Sequence, residues 1–195
     1  MGQPGACNLL VLPIVSSNRG SSGSIWIIGG VLLILIAGVL DALDGALARH
    51  QGTDGPYGDF LDHTIDRVVD VGLLVAIGMN SSFVAEPSTG LIAGLMTLLG
   101  SYMGTQAQSV GLDRIYGGFS RADRMVLTIV GLLAASWQAY SGASGISMDS
   151  MHWIMEMLNL GNSELNGMTF ALAVSAWGGA YTFLVRFIKT RSQLL

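Results

Sequence analysis

Apolar positions along this chain come in long unbroken stretches rather than in narrow amphipathic stripes. The stretches cover roughly 25–49, 60–79, 90–112, 125–140 and 167–188. Each approaches the ~20 residues that carry a helix across a hydrocarbon core of ~30 Å. Helix-breaking residues fall between them: Gly52, Gly55 and Pro56, then Asn80, Pro87 and Gly90, then a Gly/Ser-rich segment at 141–150. The pattern predicts an all-α integral membrane protein, a bundle of five full transmembrane helices in a single domain over residues 1–195. A sixth apolar segment, 8–16, is too short to span and reads as a short or truncated first helix. The Met-rich stretch 151–160, which carries Trp153, reads as a helix lying in the membrane interface. No internal repeat is visible.

Composition supports the membrane class. The chain is 51% hydrophobic and 11% charged, with a mean hydropathy of +0.56, against about 25% charged residues in soluble domains. Its 27 glycines suit helices that approach closely in lipid. Cys7 is the single cysteine, which excludes an internal disulfide and a cysteine metal site. The first residues lack a basic segment, so no cleaved secretory signal is expected. Membrane lipid is the expected partner, with no nucleic acid.

Basic residues fix an orientation. Arg49, Arg67, Arg114, Arg121, Arg124, Arg186, Lys189 and Arg191 fall on one side of the predicted bundle, and Arg19 alone on the other. The positive-inside rule turns the first side, with the C-terminus, to the cytoplasm.

Four acids break the apolar pattern on that side. Asp41 and Asp44 are spaced i,i+3, and Asp62 and Asp66 i,i+4, so each pair shares a helix face. A short turn joins the two predicted helices into a hairpin, 25–79, that brings all four carboxylates to one end. An aspartate at a membrane helix centre costs about 2.5–3.5 kcal/mol on insertion scales, so something must offset four of them. Clustered carboxylate oxygens suit hard cations, and two Mg²⁺ or Mn²⁺ ions balance four negative charges. Such a pair clamps a diphosphate for phosphoryl transfer. The competing readings are water-facing helix-end acids and ions on a transport path.

The flanking residues are more specific. D41-A-L-D44-G45-A-L-A48-R49 is followed, after eight residues, by G58-D-F-L-D62-H-T-I-D66. This resembles the CDP-alcohol phosphotransferase family, whose motif is D-x2-D-G-x2-A-R-x8-G-x3-D-x3-D, at every fixed position. The resemblance implies a six-helix membrane enzyme that transfers a phosphatidyl-type group from a CDP-activated lipid to an alcohol, releasing CMP. It implies Asp41, Asp44, Asp62 and Asp66 as metal ligands and Asp66 also as general base. Asp41, Gly45, Ala48, Arg49 and Gly58 would form the nucleotide site, although small residues at 45, 48 and 58 equally suit helix packing. A homodimer in the cell membrane, with its active site facing the cytoplasm, is implied too.

Asp59 and His63 occupy variable motif positions. Asp59 reads as a helix cap and His63 as a polar residue on another face. Asp70 continues the Asp62–Asp66 stripe one turn deeper, where a hydrogen-bonded structural role is as plausible as a functional one.

For the acceptor, Arg121 and Arg124 are candidates for binding a phosphate, with a positive-inside loop as the alternative. Where family members that use inositol phosphate tend to place arginines after an S-Y pair, this chain has Gly104, Thr105, Gln106 and Gln108. Glycerol phosphate is therefore the expected acceptor, with inositol phosphate or serine as alternatives. The motif strings look like archaeal members, which implies CDP-archaeol rather than CDP-diacylglycerol as donor. An ion-coupled transporter is the rival of another class, but it would show paired broken helices in two related halves.

Overall fold

The computed structural model describes residues 13–51, 55–113, 115, 117–146 and 164–195. They form α1 (Ser21–Gln51), α2 (Pro56–Gly78), α3 (Ser88–Ser109), α4 (Arg121–Ser141) and α5 (Gly167–Leu194). One isolated antiparallel bridge, Ile146 to Leu165, is the sole β-type pairing among the described residues. Each long apolar stretch of sequence is a helix, with ends shifted by up to six residues: α3 stops at Ser109, three residues before the predicted end, and α5 runs on to Leu194. The short segment at 8–16 is described only from residue 13, as one helical turn at 13–15. The stretch 151–160 lies outside the described residues.

Helix boundaries follow local chemistry. Pro56 sits at the start of α2, where its missing N–H costs nothing. Ser120 caps α4 by accepting from Asp123 N at 3.2 Å, while Ser120 N donates to the Asp123 carboxylate at 2.9 Å. This closes a capping box. Asn166 caps α5, its side-chain oxygen accepting from Met168 N and Thr169 N at 2.9 and 3.1 Å. Gly142, at φ +69°, ends α4 in the left-handed conformation that favours glycine.

Packing joins α3 with α5 most extensively, α2 with α3, α1 with α4 and α4 with α5. Glycines permit the closest crossings. A methyl built on Gly78 would lie 2.6 Å from the Gly90 Cα, and one on Gly100 would lie 3.0 Å from the Gly179 carbonyl oxygen. The interhelical use of glycine expected from composition holds at these crossings. Buried Ser24 and Ser136 hydroxyls, 2.8 Å apart, join α1 to α4.

The apolar core lies away from the aspartates and includes Ile14, Ile27, Val31, Leu74, Ile77 and Leu172. Asn80, fully buried, donates to the carbonyl and hydroxyl oxygens of Ser17 at 3.1 and 2.8 Å, which pins the N-terminal turn beneath the α2–α3 connection. At that end Arg19 donates to Glu164 at 3.0 Å and to the Ser82 carbonyl at 2.9 Å.

Large apolar side chains such as Leu32, Leu40, Leu43, Val130 and Leu184 face outward. Two helices, α1 over Ser21–Leu47 and α5, are long and apolar enough to cross a membrane. The other three, with 23, 22 and 21 residues, have the length for ~30 Å. Their polar residues keep them below that standard of apolarity.

No Cα atoms of α1 and α2 come within 8 Å of each other among the described residues. The sequence suggests a tight hairpin. The structure instead packs α1 on α4 and α2 on α3, leaving an opening between the two motif helices.

Candidate metal-carboxylate site

Three of the four motif aspartates converge across that opening. Asp41 of α1 and Asp62 and Asp66 of α2 each offer a carboxylate oxygen, and these atoms all lie within 4.8 Å of one another. The helical repeat explains the pairing on α2: four residues make about one turn, so Asp62 and Asp66 stack on one face. Asp44, exposed and one turn further along α1, stands outside this set. The donor set consists of hard oxygens from separate residues, which fits Mg²⁺ or Mn²⁺.

Positive charge comes from α4. The loop before it is anchored to α5, where Thr182 Oγ1 accepts from Phe119 N at 2.7 Å and donates to the Gly178 carbonyl at 2.7 Å. With Ser120 capping the helix, Arg121 and Arg124 occupy its first turn and reach back toward α2. Arg121 Nη2 lies 2.7 Å from Asp66 Oδ1, and Arg121 Nη1 lies 3.8 Å from Asp41 Oδ2. Arg121 Nε donates to Asp70 Oδ1 at 3.2 Å.

Asp70 is the residue whose importance the sequence understates. Its carboxylate is buried and accepts from three guanidiniums: Arg121 on one oxygen, and Arg67 Nη1 at 3.3 Å and Arg124 Nη2 at 3.4 Å on the other. Arg124 also donates to the Phe119 carbonyl at 3.0 Å. Arg67 enters the sequence argument only as an orientation marker. The available signal was the i,i+4 stripe Asp62–Asp66–Asp70, joined to two arginines one turn apart at a predicted helix start.

Two readings of single residues are corrected. Asp59 does not cap α2; Gly55 holds that position with no side-chain cap bond. Asp59 instead lies 3.5 Å from His63 Nδ1, an i,i+4 neighbour on the helix surface. His63 is also not turned away from the motif face, since Nδ1 lies 3.8 Å from Asp62 Oδ2.

Gly45 is half-buried on α1. Among the described residues, a methyl built on Gly58 meets no atom of another element within 4 Å, so packing between these helices does not explain a glycine there. The side chains of Ala48 and Arg49 lie outside the described residues.

Fold and site together define a helical-bundle protein with a divalent-metal type of carboxylate cluster at one end. The chain belongs to the CDP-alcohol phosphatidyltransferase family, a group of membrane-embedded proteins, whose sequence pattern matches residues 6–161. An archaetidylinositol phosphate synthase of Methanothermobacter thermautotrophicus is 37% identical over 114 residues, 58% of this chain and 56% of that protein. A phosphatidylinositol phosphate synthase of Cutibacterium acnes is 30% identical over 114 residues, 55% of this chain and 54% of that protein. The chain thus matches about half the length of these curated relatives.

Two crystal structures of Mycobacterium tuberculosis phosphatidylinositol phosphate synthase, one with CDP-DAG bound and one with manganese and citrate, share the fold. Each has a TM-score of 0.66 at 19% identity; the matches cover 94% and 95% of this chain and 81% and 78% of the respective neighbours.

Proposed function

We propose that the protein transfers a phosphatidyl-type group, archaetidyl in the first instance, from a CDP-activated lipid to inositol phosphate, with release of CMP. The carrying observation is the convergence of Asp41, Asp62 and Asp66 within 4.8 Å across the opening between α1 and α2. Family membership supplies the reaction class. The inositol phosphate synthases among the relatives favour that acceptor over the glycerol phosphate expected from the residues after Ser101 and Tyr102. The greater identity of the archaeal relative favours CDP-archaeol over CDP-diacylglycerol.

In this reaction an acceptor hydroxyl oxygen bonds to the lipid-side phosphorus of the diphosphate. The bond from that phosphorus to the bridging oxygen breaks, and CMP leaves with that oxygen. Asp66 takes the hydroxyl proton. Two divalent ions, held by Asp41, Asp44, Asp62 and Asp66, would neutralise the diphosphate and polarise its phosphorus. Gly45, Ala48 and Gly58 leave room for the nucleotide, which Asp41 and Arg49 help to hold. The open space over Gly58 supports this assignment.

Arg121 and Arg124 receive the phosphate of the acceptor. With Arg67 they place three guanidiniums around one carboxylate, Asp70. Asp70 and Asp66 balance two of these three cations, and divalent ions held by Asp41 and Asp66 would release Arg121 toward a phosphomonoester, which carries about −1.5 to −2 near pH 7. Helix lengths support five spanning helices, and the distribution of basic residues supports an aspartate end in the cytoplasm. The homodimer remains part of this reading.

The test is CMP release by the purified chain in lipid, with Mg²⁺ or Mn²⁺, CDP-archaeol or CDP-diacylglycerol, and inositol phosphate, glycerol phosphate or serine in turn. Inositol phosphate is expected to give the highest turnover. No CMP with any acceptor, and an Asp66→Asn variant indistinguishable from the parent, sinks the proposal.

A further inference from the structure

We infer that Asp70 is a positioning residue, a buried carboxylate that, braced by Arg124, aims the guanidinium of Arg121 at the place where the acceptor's phosphate binds. The inference rests on the proposed acceptor role of Arg121 and adds the residue that sets its geometry.

Three features carry it. Asp70 is 6% exposed, and both of its oxygens are engaged by arginines that come from two helices. It is therefore neither a water-facing acid nor a partner to one neighbour alone. Arg121 binds Asp70 through Nε, which leaves both terminal nitrogens pointing onward, Nη2 to Asp66 at 2.7 Å and Nη1 toward Asp41 at 3.8 Å. The Nε contact fixes the plane of the guanidinium fork, so the aim of its terminal edge, which meets Asp66 here, depends on Asp70. Arg124 is held differently: it is buried, with one terminal nitrogen on Asp70 at 3.4 Å and the other on the Phe119 carbonyl at 3.0 Å, so it braces Asp70 from the α4 side.

An arginine without such a backstop keeps its charge but loses its fixed direction. Asp70 lies one turn from Asp66 and is absent from the carboxylate set that converges within 4.8 Å. Its removal should therefore affect anion binding rather than metal binding.

The intact chain in lipid nanodiscs is titrated with inorganic phosphate and, separately, with Mn²⁺, for the parent, Asp70→Asn and Asp70→Glu. Loss of a charge-assisted contact predicts phosphate affinity at least ~10-fold weaker in both variants, with Mn²⁺ affinity changed less than ~3-fold. In turnover, KM for inositol phosphate rises by a similar factor while KM for the CDP-lipid stays put. Asp70→Glu, which retains the charge but displaces it, decides the matter if Asp70→Asn does not fold. Unchanged phosphate affinity in a folded variant overturns the inference. So does Mn²⁺ affinity falling in step with phosphate affinity, a parent that binds no phosphate, or failure of both variants to fold. A parent that binds phosphate in an Asp70-dependent way yet releases no CMP sinks the transferase reading and leaves the positioning role standing.

Discussion

The Arg121 guanidinium lies 2.7 Å from the Asp66 carboxylate, although the two residues come from helices that begin 65 positions apart. This contact ties the first turn of α4 to the motif face of α2. It places the cation assigned to the acceptor beside the carboxylate assigned to the proton. Arg121→Gln should raise KM for inositol phosphate by ~10-fold or more while Mn²⁺ affinity is retained or increases, because a positive charge leaves the carboxylate cluster. Steady-state CMP release and Mn²⁺ titration measure the two effects. A loss of Mn²⁺ affinity would mean that Arg121 organises the metal ligands instead.

Asp41→Asn and Asp62→Asn each remove a charged donor from the converging set. Each should weaken Mn²⁺ binding by about tenfold or more and abolish most CMP release. Asp44→Asn, outside that set, is expected to cost less affinity than either. Calorimetry on the three variants ranks them, and an equal or larger loss for Asp44 would reverse the assignment.

Gly58→Ala separates ligand room from helix packing. Among the described residues, the added methyl meets no atom of another element within 4 Å, and alanine is favoured over glycine in a helix by about 0.5–1 kcal/mol. Thermal stability should therefore hold or rise slightly while KM for the CDP-lipid increases. A fall in Tm with an unchanged KM would return Gly58 to a packing role.

Glu164 gives a pH prediction at the opposite end of the bundle. The hydrogen bond from Arg19, followed by the N–H of Gly145, holds its carboxyl below the ordinary value of 4.5. A depressed folded-state value contributes stability that is present above about pH 4.5 and lost as pH falls through the lower, folded value. The pair is more than a third exposed, so the contribution is small, within the ~0.2–1 kcal/mol of surface ion pairs. Glu164→Gln should lower Tm slightly at pH 7 and converge with the parent in acid, as read by thermal unfolding across pH. A difference that persists below the range where the carboxylate titrates would assign the effect to Gly145 or to packing.

Much of this architecture was legible because its signals are local. Apolar run length located all five helices, and i,i+3 and i,i+4 spacing put each pair of motif aspartates on one face. What the sequence did not disclose depends on which helices become neighbours. Nothing local says that α1 packs on α4 rather than on α2, so the two helices of the expected hairpin, though joined by a short connection, do not pack on each other. The same tertiary choice brings Arg121 and Arg124 onto Asp70, whose stripe was visible but whose three partners were not. The Asp59 cap failed for a simpler reason: Pro56 starts the helix three residues earlier, so Gly55 takes the capping position. Residues 104–108 point to glycerol phosphate, whereas relatives of the chain include inositol phosphate synthases, because the arginines near the carboxylates reach them from α2 and α4 and not from the helix that follows Ser101 and Tyr102.

The parting of α1 from α2 bears on how a two-tailed substrate would arrive. Pulling a lipid chain into water costs about 0.8 kcal/mol for each methylene, so drawing about ten of them out of the bilayer would cancel a micromolar affinity. A gap between two helices whose Cα atoms stay more than 8 Å apart would remove that requirement wherever it faces the lipid. For the lipid donor proposed above, the headgroup would then slide sideways to the carboxylates while the tails stay among their neighbours, and the product would depart the same way.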